Sequence, residues 1–166
     1  MIINTEAEFK SYFEERLSNY VHASNMVVII VDPYYGGRNE QSELRINYFL
    51  DFLGSLIEQP SFIWFYNGTK HYEPMHSEKV LAFDFLTAGL QFHDRFLFLY
   101  DKSIKSYVAL FHLGGSINSV NINGKKQIPV TRLSTIEPEE MPQIEFLIQG
   151  LEEAYTNKTS KTDWGG

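Results

Sequence analysis

The sequence predicts an α/β domain with a mixed, mostly parallel central sheet flanked by helices on both faces. Three observations lead there. Residues 26–31 (MVVIIV) form a continuous β-branched and apolar run, the composition of a strand covered on both sides. An amphipathic helical stretch over 41–58 and a second apolar run, SFIWFY at 61–66, come next; strand, helix, strand at this length reads as a right-handed parallel crossover. Further on, FHDRFLFLYD and SYVALFHL stand either side of a short polar turn and read as two adjacent strands.

The other elements follow from local chemistry. Asn4 to Glu8 has the form of a helix start, with Thr5 as cap and Glu8 three residues on. Phe9, Tyr12, Phe13, Leu17, Tyr20 and Val21 then recur at helical spacing opposite Lys10, Glu14, Glu15 and Arg16. Leu44, Tyr48, Phe49, Phe52, Leu53, Leu56 and Ile57 give the second helix its apolar face, and Pro60 stops it. Residues 80–85 read as an edge strand. Residues 125–133 are extended but hold Pro129, which places them near an edge or a bulge. Glu137-Pro138-Glu139-Glu140 opens a last helix, whose buried face is Met141, Ile144, Leu147, Ile148, Leu151 and Tyr155. One domain over 1–156 with a polar, flexible tail over 157–166 is the expected organisation.

Composition excludes several functions. With 43% hydrophobic and 15% aromatic residues among 166, the chain has ample material for one core. It has no cysteine, hence no disulfide scaffold, thiolate zinc site or cysteine nucleophile. No apolar run approaches the length of a membrane span, and MIINTEAEFK lacks the basic-then-apolar order of a secretory signal. The expectation is a cytoplasmic domain without membrane contact. His71 and His76 lie five apart in a polar stretch with no third ligand at a useful spacing, so they read as surface histidines, and no metal or other cofactor is expected. The net charge is −7, yet residues 93–133 carry +4 and the remainder −11. That distribution suits a small or local anionic ligand better than a long duplex, although lysines in turns are also simply solvated.

The chemistry concentrates at 93–118. In a strand, residues i and i+2 share a face, so His93 and Arg95 point together while Asp94 points away. Beyond the second strand lies Gly114-Gly115-Ser116-Ile117-Asn118, a turn made of small residues. Imidazole, guanidinium and such a turn suit a phosphate. Asp32, just past the first strand and ahead of Pro33, is either a site carboxylate or a turn-former. Asp32, Tyr34 and Lys125 complete the candidates for substrate binding.

His93-Asp94-Arg95 followed by Gly115-Ser116-Ile117-Asn118 resembles the phospholipase D superfamily, whose signature is HxKxxxxD with a G-S-x-N turn. The early apolar strand ending in Asp-Pro-aromatic agrees with the resemblance, which implies a phospholipase D-like fold. Arg95 stands where the family has lysine and Tyr100 where it has aspartate, with Asp101 one place late. By resemblance His93 is the nucleophile, while Arg95, Ser116 and Asn118 bind and stabilise the phosphoryl oxygens. The implied reaction is metal-free phosphodiester hydrolysis through a phosphohistidine, of the kind found in nucleases and bacterial defence domains. A single motif implies a homodimer that supplies the second histidine. His112 reads instead as a packed or edge histidine. A degenerate member that binds a phosphate, a nucleic-acid end or another protein without turnover is the alternative of a different class.

Overall fold

The computed structural model describes residues 1–35, 40–68, 74–84, 94–120, 122 and 127–165, with Glu40, Asn118 and Gln127 described by backbone alone. Seven strands form one sheet in the order β1-β7-β6-β5-β2-β3-β4. They are β1 (Ile2–Thr5), β2 (Met26–Val31), β3 (Ser61–Tyr66), β4 (Val80–Asp84), β5 (Arg95–Asp101), β6 (Ser106–Leu113) and β7 (Gln127–Thr135). Three helices complete the described chain: α1 (Glu6–Leu17), α2 (Glu40–Leu56) and α3 (Met141–Thr159).

Strand β2 is the axis of the molecule. All six of its residues are buried, and their alternation divides the core in two. Met26, Val28 and Ile30 pack with Phe13 of α1 and Phe49 of α2, while Val27, Ile29 and Val31 pack with Ile148, Leu151 and Tyr155 of α3. Helices therefore cover both faces, as the two-sided apolar run predicts.

The expected excess of parallel pairing is not what the sheet contains. Only β2–β3 and β3–β4 are parallel; β1–β7, β2–β5, β5–β6 and β6–β7 are antiparallel. The reason lies in the connections. A parallel neighbour requires a crossover, which α2 supplies between β2 and β3. The β5–β6 hairpin turns within Lys102–Lys105 and enters antiparallel on the other side of β2. The sheet is mixed and mostly antiparallel.

Local signals account for most boundaries. Thr5 Oγ1 caps α1 by accepting from Glu8 N at 3.2 Å, and its hydroxyl donates to the Glu8 carboxylate at 2.8 Å. Glu137 and Glu140 form a reciprocal capping box ahead of α3. Pro129 sits in a register shift: between the pairs Ile3↔Thr131 and Thr5↔Gln127, β7 advances by four residues and β1 by two. A residue without an N–H fits where the ladder is already broken.

Two features depart from a regular sheet. β7 leaves β6 after Thr135, with Ile136 N still donating to Leu110 O at 2.8 Å; nearer the hairpin, the Tyr20 hydroxyl donates to Val108 O at 3.1 Å. The chain end also differs from the expected flexible tail. α3 runs to Thr159, and Trp164, 4% exposed, packs its ring 5.0 Å from Tyr155 and donates Nε1–H to the Tyr107 oxygen at 2.9 Å.

Candidate functional site

The site is built where the C-terminal end of β2 meets the start of β5 and the bend after β6. Asp32 follows the last residue of β2, and its backbone continues the ladder, N donating to Phe65 O at 3.1 Å and O accepting from Trp64 Nε1 at 2.9 Å. Its side chain is wholly buried. Oδ1 accepts from Tyr34 N at 3.0 Å, the Asx geometry expected of an aspartate ahead of a turn. Oδ2 accepts from Ile117 N at 2.9 Å, and the Ser116 hydroxyl lies 3.0 and 3.1 Å from the two oxygens. Asp32 is thus the turn-former and also the clamp that fastens the Gly-Gly-Ser-Ile-Asn bend to the central strand.

Arg95 opens β5 on the same side. Its Nε lies 3.9 Å from Asp32 Oδ1, beyond hydrogen-bond length, and is buried without a hydrogen-bond partner. The side chain as a whole keeps 22% exposure. Its guanidinium carbon stands 5.6 Å from the centre of the Tyr34 ring, within range of a cation–π contact. Burial pushes the Asp32 carboxyl pKa up; the N–H groups of Ile117 and Tyr34, the Arg95 charge and the Ser116 hydroxyl pull against it in that order. The carboxylate is closed to solvent, so Asp32 supports the site from beneath and does not line it.

The bend owes its glycine to space. A Cβ at Gly114 would stand 2.7 Å from Arg132 O of β7, where the Gly114 N–H donates to that same oxygen at 2.7 Å. No described residue of the bend has positive φ, so close approach is the constraint. Ser116 then turns into a single 3-10 turn over Ile117–Ser119, closed by Ser119 N and Oγ on Ser116 O at 3.1 and 2.7 Å. Ile117 and Val120 anchor the turn in the core beside α2.

Of the expected site residues, Asp32, Tyr34, Arg95 and Ser116 are brought together. The Ser116 hydroxyl is committed to Asp32, which makes Ser116 a positioning residue. Asn118 lies in the 3-10 turn, its side chain undescribed, and His93, Lys125 and His71 lie outside the described residues. His112 belongs to the other face. It pairs with Phe96 across β5–β6 while Arg95 pairs with Leu113, so the sheet separates the imidazole from Arg95. There its Nε2 is 3.5 Å from Asp94 Oδ2 and its ring meets Phe96 edge-on at 5.4 Å.

Of the described cations of the basic stretch, Arg132 lies beside Gly114 of the bend, while two others are not at this end. Lys102 and Lys105 lie in the β5–β6 hairpin at the opposite end of β5, about 20 Å away by strand rise, where Lys105 pairs with Asp163 at 3.2 Å. Asp101 is spent in the same hairpin, accepting from Ser103 N and Oγ at 2.8 and 2.5 Å. A register shift does fall between Leu99 and Tyr100, but it leaves Tyr100 buried on the α3 face and brings Asp101 nowhere near Arg95. Among the described residues, no cluster of histidines and carboxylates could hold a metal ion and no helix is long and apolar enough to cross a membrane. Comparison with known proteins finds no matching family model, no matching curated protein and no matching solved structure.

Proposed function

We propose that the chain is a phospholipase D-like phosphodiesterase domain, nuclease-like in substrate, that uses His93 as nucleophile without a metal. The observation that carries the reading is the Arg95 guanidinium beside the Asp32-clamped bend: a cation whose buried Nε makes no hydrogen bond, held next to backbone that a carboxylate has locked in shape. A phosphoryl group gains most from donors that need no rearrangement as charge develops. Arg95 offers a planar fork to its oxygens, and Tyr34 flanks the guanidinium. In the proposed reaction His93 attacks phosphorus, the leaving oxygen takes a proton from a second histidine, and that histidine then activates water to release the phosphohistidine. The second histidine is supplied by a twofold partner, since His112 is on the far face of the sheet.

A second reading is favoured by one specific observation. At the position of the family aspartate stands Tyr100, buried in the α3-side core, and Asp101 does not replace it. On that reading the same pocket binds a phosphate or a nucleic-acid end without turnover.

One experiment separates the two. Cleavage of a fluorescent single-stranded oligonucleotide is followed in excess chelator, alongside binding of the same oligonucleotide. The enzyme reading expects turnover that vanishes in His93→Ala and falls about 10²-fold in Arg95→Ala. Turnover that needs a divalent metal, or that survives His93→Ala, overturns it. Binding lost in Arg95→Ala with no turnover in the wild type selects the binding module.

A further inference from the structure

We infer that the groove between the far face of β5–β7 and the start of α3 is a binding site for an organic cation carried on an apolar stem. The groove is open to solvent on one side and offers about 650 Å³, in the range of small-ligand sites. Its apolar surface comes from Phe96, Ile136, Ile144 and Leu147, and its polar surface includes Asp94, His112 and Glu140. Among the described residues, the lining holds two carboxylates and no lysine or arginine. Charge complementarity therefore selects a cation, and the apolar wall selects what that cation is attached to.

The polar groups stand at the rim, with Asp94 68% exposed and Glu140 exposed as well. Asp94 Oδ2 is 3.5 Å from His112 Nε2, and Phe96 supports that ring edge-on. Glu140 accepts from Glu137 N at 3.3 Å, which ties its carboxylate to the start of the helix. Ser134 stands directly across from His112 on β7 and adds a hydroxyl on the same face. An ammonium or guanidinium entering here exchanges water for carboxylate oxygens while its stem covers Ile144 and Leu147. The site lies on the opposite face of the sheet from Arg95 and does not depend on the phosphodiesterase reading.

The test uses the full chain, calorimetry and the ring resonances of His112. Phenethylammonium is expected to saturate and to shift those resonances, with neutral 2-phenylethanol binding at least tenfold more weakly. Asp94→Asn and Glu140→Gln each weaken the ammonium about fivefold; glutamine retains the reach-back bond of the capping box, so the fold is preserved. Leu147→Ala weakens amine and alcohol alike. Tighter binding of N-acetylargininamide than of phenethylammonium assigns the site to a basic side chain of a peptide, and the reverse order to a free amine. Equal affinity for amine and alcohol, indifference to both carboxylate substitutions, or absence of saturable binding overturns the inference.

Discussion

Asp32 decides the shape of one end of the molecule. Its carboxylate accepts from two backbone N–H groups and a hydroxyl, and removal takes the acceptor away from the buried Ser116 hydroxyl and Ile117 N–H. Asp32→Ala is expected to cost about 3 kcal/mol, read as a lower urea midpoint. The pH dependence has a definite sign. A carboxyl whose pKa is raised in the folded state retains its proton there longer than in the unfolded chain. The stability it contributes is greatest below the unfolded value, about 3.9, and declines as pH rises from there through the folded value. The midpoint of the wild type relative to Asp32→Asn should therefore fall from about pH 4 upward. A difference that is flat with pH would show the donors balancing burial, and one that rises with pH would show them outweighing it. Nothing local announces this role, because the groups Asp32 holds are 84 and 85 residues away. Its place after a two-sided apolar run and before Pro33 marks a turn, which is the half of its function that sequence makes visible.

At the scale of elements, periodicity was the reliable guide. β2, β3 and β6 carry unbroken apolar or alternating signals and match their observed spans. The buried face of α2 instead keeps Phe49, Phe52 and Leu53 of the expected set, with Ile57 just past its end, adds Ile46 and Leu50, and leaves Leu44 exposed. β1 gave no such signal. Four residues leading into a helix, the last of them its cap, are too few to show alternation, and their pairing with β7 joins residues as distant in sequence as Ile2 and Arg132. The last turn of the chain was illegible for a related reason. Its polar composition suggests fraying, while one indole holds it down. Ser160, Asp163 and Trp164 all adopt left-handed backbone, a conformation costing about 1 kcal/mol or more for each residue with a side chain. The Trp164 ring offsets this by packing on Tyr155 and Phe65 and by bonding Tyr107. Trp164→Ala is expected to lose about 3 kcal/mol and to loosen the backbone around Lys161, already exposed, so that trypsin cleaves there under native conditions. Retention of full protease resistance would show that the strap is held by other contacts.

For the whole molecule, the described charges of the basic stretch are divided between the two ends of β5, with Arg132 beside the bend and the hairpin lysines far from it. The sequence places its +4 balance within 93–133, yet Lys102 and Lys105 are a strand length away from Arg95, and Lys105 is paired. Oligonucleotide binding at the Arg95 site should therefore show a shallow salt dependence. With one or two phosphates engaged, log affinity falls with log salt at a slope of about −0.7 to −1.4. A slope steeper than about −4 would require a broad basic surface and a different docking face. Sheet polarity was illegible for a comparable reason: the two apolar strands around α2 announce a parallel unit, but nothing near 95–113 tells which side of β2 the hairpin joins.

The parting of β7 from β6 has a consequence for how copies of this chain treat one another. Beyond Leu110, the margin of β6 is the kind of surface on which a foreign strand can template itself. The phenol of Tyr20 sits on the Val108 carbonyl like a stopper in that opening. Tyr20→Phe keeps the ring and removes the stopper. Light scattering of concentrated samples should then rise with time while dilute samples keep their wild-type circular dichroism. Unchanged scattering would mean the flanking side chains alone keep the margin closed to self-association.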